Sequence, residues 1–257
     1  MISPSFKSIP PNCLIDTQYI EQIEFLGEEG WQWPILKNYL NEDSICYCAG
    51  AGDDISFETA LFQCYRSNIF IIDPLVNLDN NGKKHTLSKT KDALEIIGNP
   101  DKVKLIKVAL SDKNGSFEFR KNPQGNSYSL TKDSLLWKDT TPHPRHKPAT
   151  EVPCKDIYSL MREYKHDKID LLKLDIEGSE YKVLNDILEK NITIGFLNVE
   201  FHGEWLNDKW GNCAKYKDLY EIILKLEKKG FDKIFEHKYR EYGFINTNII
   251  NPYKYIW

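Results

Sequence analysis

The chain has 257 residues, 41% of them apolar and 28% charged, with a net charge of −4 and an isoelectric point near 5.9. That fits one large or two small soluble domains with a real core, and the dispersed Lys and Arg residues with a slightly acidic balance argue against nucleic acid as a partner. No apolar run approaches the roughly 20 residues that span a bilayer, and "MISPSFKSIPPN" lacks the apolar core of a signal peptide, so the expected location is cytoplasmic.

In chain order, residues 1–40 read as a helical extension. "TQYIEQIEFLGEEG" is expected as one short helix and "WQWPILKNYL" as a second, with Pro34 in its first turn. A regular alternation then begins and runs through residues 41–257. "SICYCA" is a short strand ending in the loop "GAGDD". "ISFETALFQCYR" has helical spacing, with Ile55, Leu61, Phe62 and Tyr65 on one broad face. "NIFIIDP" is a compact strand, "TLSKTKDALEIIG" a helix and "VKLIKVAL" a third strand. "SDKNG" is a turn and "SFEFR" an extra strand. Residues 121–150 are polar, proline-bearing and long for an internal loop, which suggests a lid.

Beyond that segment, "CKDIYSLMREY" is a helix, "KIDLLKLD" a strand, "SEYKVLNDILEKN" a helix and "TIGFLNVEFH" a strand. "KYKDLYEIILKLEKKG" is an amphipathic helix closed by Gly230. "FDKIFEH" and "YGFINTNIIN" are too close for a crossover helix and should pair antiparallel. Strands alternating with helices imply an α/β chain, a doubly wound and mostly parallel sheet. The cysteines Cys13, Cys46, Cys48, Cys64, Cys154 and Cys213 match no zinc or redox spacing and read as core residues.

Four motifs carry chemistry. The loop of Ala49, Gly50, Gly52, Asp53 and Asp54 lets backbone approach a ligand at a helix N-terminus. Ile55 stands where a dinucleotide fingerprint has its third glycine, and no Lys-Ser/Thr pair marks a phosphate loop. Two acids would repel a pyrophosphate and suit an amine-bearing ligand. Asp73, some 20 residues on at the end of a strand, is placed to accept two ribose hydroxyls; the plain alternative is a turn cap before Pro74. In "LLKLDIEGSEYKVL", Asp175 falls at the carboxyl end of a buried strand, where open α/β sheets bind ligands. Glu180, inside the next helix, reads as a helix-terminus charge. In "FLNVEFHGEW", Asn198, Glu200 and His202 share one strand face, and Glu200 and His202 should lie beside Asp175. Two acids and a histidine together could hold a divalent metal or supply a base. Trp31, Trp33, Trp137 and Trp205 could stack on a sugar, core packing being the commoner use.

With these residues in hand, the sequence resembles the FkbM family of S-adenosylmethionine-dependent methyltransferases. The specific match is "LLKLDIEGSEYKVL", close to that family's strand, D-x-E-G-x-E and helix signature. "CAGAGDDISFE", "IFIIDP", "VALSDKNGSFEF" and "FLNVEFH" follow the expected order, so the likeness covers about Ser44 to Phe235. It implies the class I methyltransferase (Rossmann-like) fold, seven strands with an antiparallel C-terminal strand. It also implies S-adenosylmethionine on the Ala49–Asp54 loop, with Asp73 on the ribose and Ala109, Leu110 and Ser111 near the adenine. Asp175 would face the reacting methyl. The implied reaction is O-methylation of a sugar or glycan hydroxyl. Asp175, Glu200 and His202 would act as base or as ligands to Mg²⁺ or Mn²⁺. Cys48 departs from the family, standing where an acid is usual; Asp53 or Asp54 would take that task. The rival readings are an NAD-linked oxidoreductase on a similar sheet and a non-catalytic methyltransferase-like binding protein.

Overall fold

The computed structural model describes residues 13–30, 32–52, 54–75, 99–121, 128–130, 150–202, 214–238 and 240–251. The expected helix at "TLSKTKDALEIIG", most of the expected lid, and Asp53, Trp31, Trp137 and Trp205 lie outside these residues.

The first 40 residues hold strands, not the two expected helices. After β1 (Cys13–Ile15) come β2 (Ile23–Leu26) and β3 (Trp33–Leu36), paired antiparallel as a hairpin. All four residues of each hairpin strand are buried, which a surface helix could not achieve. Gly27 and Gly30 adopt φ of 111° and 90°, which ends the helical reading at "LGEEG". Pro34 is tolerated because, among the described residues, β3 pairs with β2 alone.

The alternating region then follows: β4 (Ile45–Ala49), α1 (Ser56–Tyr65), β5 (Asn68–Ile72), β6 (Val103–Ile106), β7 (Ala109–Leu110), β8 (Gly115–Lys121), β9 (Tyr128–Leu130) and β10 (Thr150–Lys155). Next come α2 (Ile157–Tyr164), β11 (Ile169–Leu174), α3 (Glu180–Glu189), β12 (Ile194–Glu200), α4 (Ala214–Lys228), β13 (Phe231–His237) and β14 (Glu241–Asn246). Local sequence explains the helix ends. Asp156 caps α2 by accepting the Ser159 N–H at 2.6 Å. Gly230, at φ 87°, closes α4.

The main sheet has the order β6-β5-β4-β11-β12-β14-β13-β1. The first five strands are parallel; β14 is antiparallel to both neighbours, as the close spacing of the last two runs requires. The sheet holds eight strands where seven were expected, because β1 joins the free edge of β13. "VKLIKVAL" is likewise two strands, β6 in this sheet and β7 in a second sheet of order β7-β10-β8-β9.

Two cores flank the main sheet. On one face α1 and the β2–β3 hairpin cover Cys46, Cys48, Ile69, Ile71, Leu171 and Phe196. On the other, α2, α3 and α4 cover Tyr47, Phe70, Ile72, Leu172, Leu174 and Leu197. Trp33 belongs to the first core at 7% exposure and is not available to stack on a sugar. Asn198, fully buried, donates to the Pro34 carbonyl at 2.8 Å and so ties the hairpin to β12 instead of facing the expected site.

Candidate active site

The chain leaves β4 for β5 and β6 on one side and returns to β11 on the other. Strand order reverses there, and ligands bind in the crevice at such a point. Gly50 follows β4 and Asp175 follows β11. A Cβ on Gly50, whose φ is 82°, would lie 1.6 Å from the Asp175 carbonyl oxygen. On Gly52, at φ 54°, a Cβ would meet nothing within 4 Å. Gly50 is thus required by strand approach, while Gly52 lines open space.

Asp73 holds this loop. Its Oδ2 accepts the Ala51 and Gly52 N–H groups at 3.1 Å each, and Oδ1 accepts the Leu75 N–H at 2.7 Å. It therefore does cap its own turn, and it does so at the edge of the glycine loop. Asp54 accepts the Ser56 N–H at 2.8 Å, just ahead of α1. Ala49, Ala109, Leu110 and Ser111 are all buried; Ala109 and Leu110 are the β7 residues paired to Cys154 and Lys155. Beneath the loop the buried Lys173 ammonium donates to the Gly50 carbonyl at 3.3 Å, pairs with Glu58 at 3.4 Å and lies 5.4 Å from the Trp33 ring centroid.

Beside the loop is an acidic corner. β11 delivers Asp175 and β12 delivers Glu200, with His202 two residues on. One ligand atom from each of these three lies within 4.8 Å of the others. His202 Nε2 lies 3.8 Å from Asp175, 3.6 Å from Glu177 and 3.5 Å from Glu200. Its Nδ1 lies 2.9 Å from Glu180 Oε1. Glu200 is also ion-paired with Arg240. Glu177 sits at φ 54°, rare for a residue with a side chain.

The charges are strongly coupled. Desolvation and the neighbouring Glu200 carboxylate raise the Asp175 pKa to about 7, against the pull of Lys173 and His202. Desolvation also raises that of Glu200, opposed by His202 and Arg240. For His202, burial favours the neutral ring, but Glu180, Glu177 and Glu200 overcome it and raise the pKa to about 10. The surrounding acids thus favour a positive charge at this corner, and the imidazole is drawn toward its charged form. A divalent cation would replace that positive charge among the same acids.

Glu177, Glu180, Lys173 and Arg240 were not among the site residues expected from sequence. Glu177 and Glu180 are the two glutamates of the D-x-E-G-x-E signature, so that spacing was the available signal. Lys173 and Arg240 had none, because their partners lie 115 and 40 residues away.

Comparison with known proteins adds a family. A family model for the methyltransferase FkbM domain matches residues 37–233. The human and rat proteins named probable methyltransferase-like protein 24 are each 30% identical over 129 residues, covering 46% of this chain. That stretch spans only 34% of the length of those relatives. A crystal structure of methyltransferase FkbM from Methylobacillus flagellatus KT aligns with a TM-score of 0.45 at 12% identity, over 80% of this chain and 44% of that one.

Proposed function

The chain belongs to the FkbM methyltransferase domain family, and from that membership we propose that it transfers a methyl group from S-adenosylmethionine to a hydroxyl of a sugar or glycan, assisted by Mg²⁺ or Mn²⁺. The observation that carries this reading is the meeting of Asp175, Glu200 and His202 within 4.8 Å, beside a glycine loop at the point where strand order reverses.

The residues fit such a cofactor. Gly52 lines open space, Asp73 stands at the end of β5 in hydrogen-bond contact with the glycine loop, and the acidic corner favours an amine and a sulfonium over a phosphate. Ala49, Gly50, Gly52, Asp54 and Asp73 would hold it, with Ala109, Leu110 and Ser111 toward its base. When bound, S-adenosylmethionine supplies an electrophilic methyl group. The donor set also fits a hard divalent cation, two carboxylates and one imidazole, whose chemistry is to lower the pKa of a bound hydroxyl.

The chain's own residues supply the rest. Asp175 stands nearest the loop and orients the acceptor hydroxyl. Transfer is an in-line displacement, in which orientation supplies much of the rate. Carboxylates accept hydrogen bonds only, so a neutral polyol with several hydroxyl donors suits this corner better than an anionic acceptor. Arg240 holds Glu200 through Oε1, the oxygen that lies 3.5 Å from His202 Nε2.

The test is methyl transfer followed by mass spectrometry with candidate glycans. Dialysis against EDTA should abolish it and Mn²⁺ should restore it. Asp175→Asn and Glu200→Gln should each lower turnover by roughly 10²–10⁴-fold, with affinity for S-adenosylhomocysteine retained. Undiminished transfer in EDTA and in both variants would remove this corner as the reaction centre.

A further inference from the structure

Glu180 is completely enclosed, at 0% exposure. A buried carboxylate is costly unless its acceptor positions are filled, and here three donors fill them. Oε1 takes the Ile176 N–H at 3.0 Å and lies 2.9 Å from His202 Nδ1; Oε2 takes the Gly178 N–H at 2.9 Å. The donors come from separate parts of the chain. Two belong to the turn between β11 and α3 that carries Asp175 and Glu177. The third follows β12. One side chain therefore sets the turn and the imidazole relative to each other.

A carboxylate serving only the helix start would need the two backbone groups alone. The third contact occupies one face of the His202 ring edge and leaves Nε2 as the nitrogen turned toward Asp175, Glu177 and Glu200. We infer that Glu180 is a positioning residue, holding His202 through Nδ1 so that Nε2 is the atom offered to a divalent cation bound with Asp175 and Glu200. This rests on the metal-assisted reading above. Carboxylates that hold the far nitrogen of a ligating histidine fix its tautomer and orientation.

Glu180→Gln tests it with little change of volume. The amide keeps one acceptor oxygen, so whichever way it turns, its NH₂ faces one of the donors. Mn²⁺ titrated into the full chain and followed by electron paramagnetic resonance should bind the variant about 10–100-fold more weakly. In a His202→Ala background the same substitution should leave Mn²⁺ affinity unchanged, since the two residues act as one unit. A merely structural Glu180 would weaken binding equally in both backgrounds, and that result overturns the inference. Unchanged affinity in the single variant overturns it too, while leaving the metal reading in place. A wild-type chain that binds no Mn²⁺ overturns both.

Should Glu180→Gln fail to fold, the wild type still decides. Its histidine nitrogens, labelled with ¹⁵N and observed with Mg²⁺ bound, should show a strongly deshielded Nδ1 proton that is lost in His202→Ala. Absence of that proton would mean that Glu180 does not hold the ring.

Discussion

Gly50 and Gly52 stand two residues apart in one loop and answer to different constraints. A methyl at Gly50 would collide with the backbone carbonyl of Asp175, and backbone yields less readily than the end of a side chain. Gly50→Ala should therefore cost more than about 3 kcal/mol in denaturant unfolding, beyond ordinary overpacking. Gly52→Ala should cost only the left-handed backbone term of about 1–2 kcal/mol and remain folded, but lose affinity for S-adenosylhomocysteine in calorimetry. Equal stability losses would contradict the packing argument, and full affinity in Gly52→Ala would take that position out of the cofactor site. His166 gives a pH test away from the acidic corner. Its Nδ1 lies 2.9 Å from the Tyr47 hydroxyl, and its ring stands edge-on to Phe70. Burial lowers its pKa below 6.5, against a smaller opposing pull from Asp167. In that window the unfolded chain binds more protons, so this contribution is complete above pH 6.5 and is lost as pH falls through the folded pKa. Urea midpoints should drop on acidification below pH 6.5 by more in wild type than in His166→Gln; parallel curves would exclude His166 as the cause. At this scale the sequence read well wherever a residue's role follows from its place on an element. Asp175, Glu200 and His202 converge as the strand ends predicted. Asp73 was read as a ligand contact with a turn cap as the alternative, and the structure displays the cap. Glu180 was read as a helix charge because its partner, His202, arrives from the next strand, and local spacing does not report such a contact.

At the level of elements, β11 depends on a buried charge pair. Its six residues are all buried, yet one is Lys173, which pairs with Glu58 on α1 at 3.4 Å. The two side chains are 5% and 1% exposed. Lys173→Met alone strands the Glu58 charge and should destabilise by about 3–5 kcal/mol. Adding Glu58→Gln should recover much of that loss. If the double variant is no more stable than the single, the pair is not what holds α1 to β11. Alternation of apolar and helical runs made most elements from β4 onward legible. The first 40 residues were not, because a hairpin lying on a sheet is buried on more than one side and loses its period. "IEFL" and "WPIL" then look the same as short pieces of an apolar helix. "VKLIKVAL" hid a break for a similar reason: the chain changes sheets after Ile106 without any turn residue to mark it.

For the whole molecule, the added strand β1 matters out of proportion to its three residues. It pairs Cys13, Leu14 and Ile15 with His237, Glu236 and Phe235 along the outer edge of β13. Removing residues 1–16 should expose that edge as a template for another chain. Sedimentation should then show association that grows with concentration, and a truncated chain that stays monomeric at high concentration would show that β13 needs no cover. No helix among the described residues is long and apolar enough to cross a membrane.

The meeting of β4 and β11 also has a meaning in time. Lys173 and Gly50 are 123 residues apart in the chain, and the crevice exists only once their two strands lie side by side. Contacts of that separation are slow to form, because closing a long loop precedes any reward for it. Helices can regain their structure early during refolding, but the crevice has no local precursor. Recovery of ligand binding therefore marks the completion of folding in this chain, and a nascent chain that has not yet released β11 has no binding site to offer.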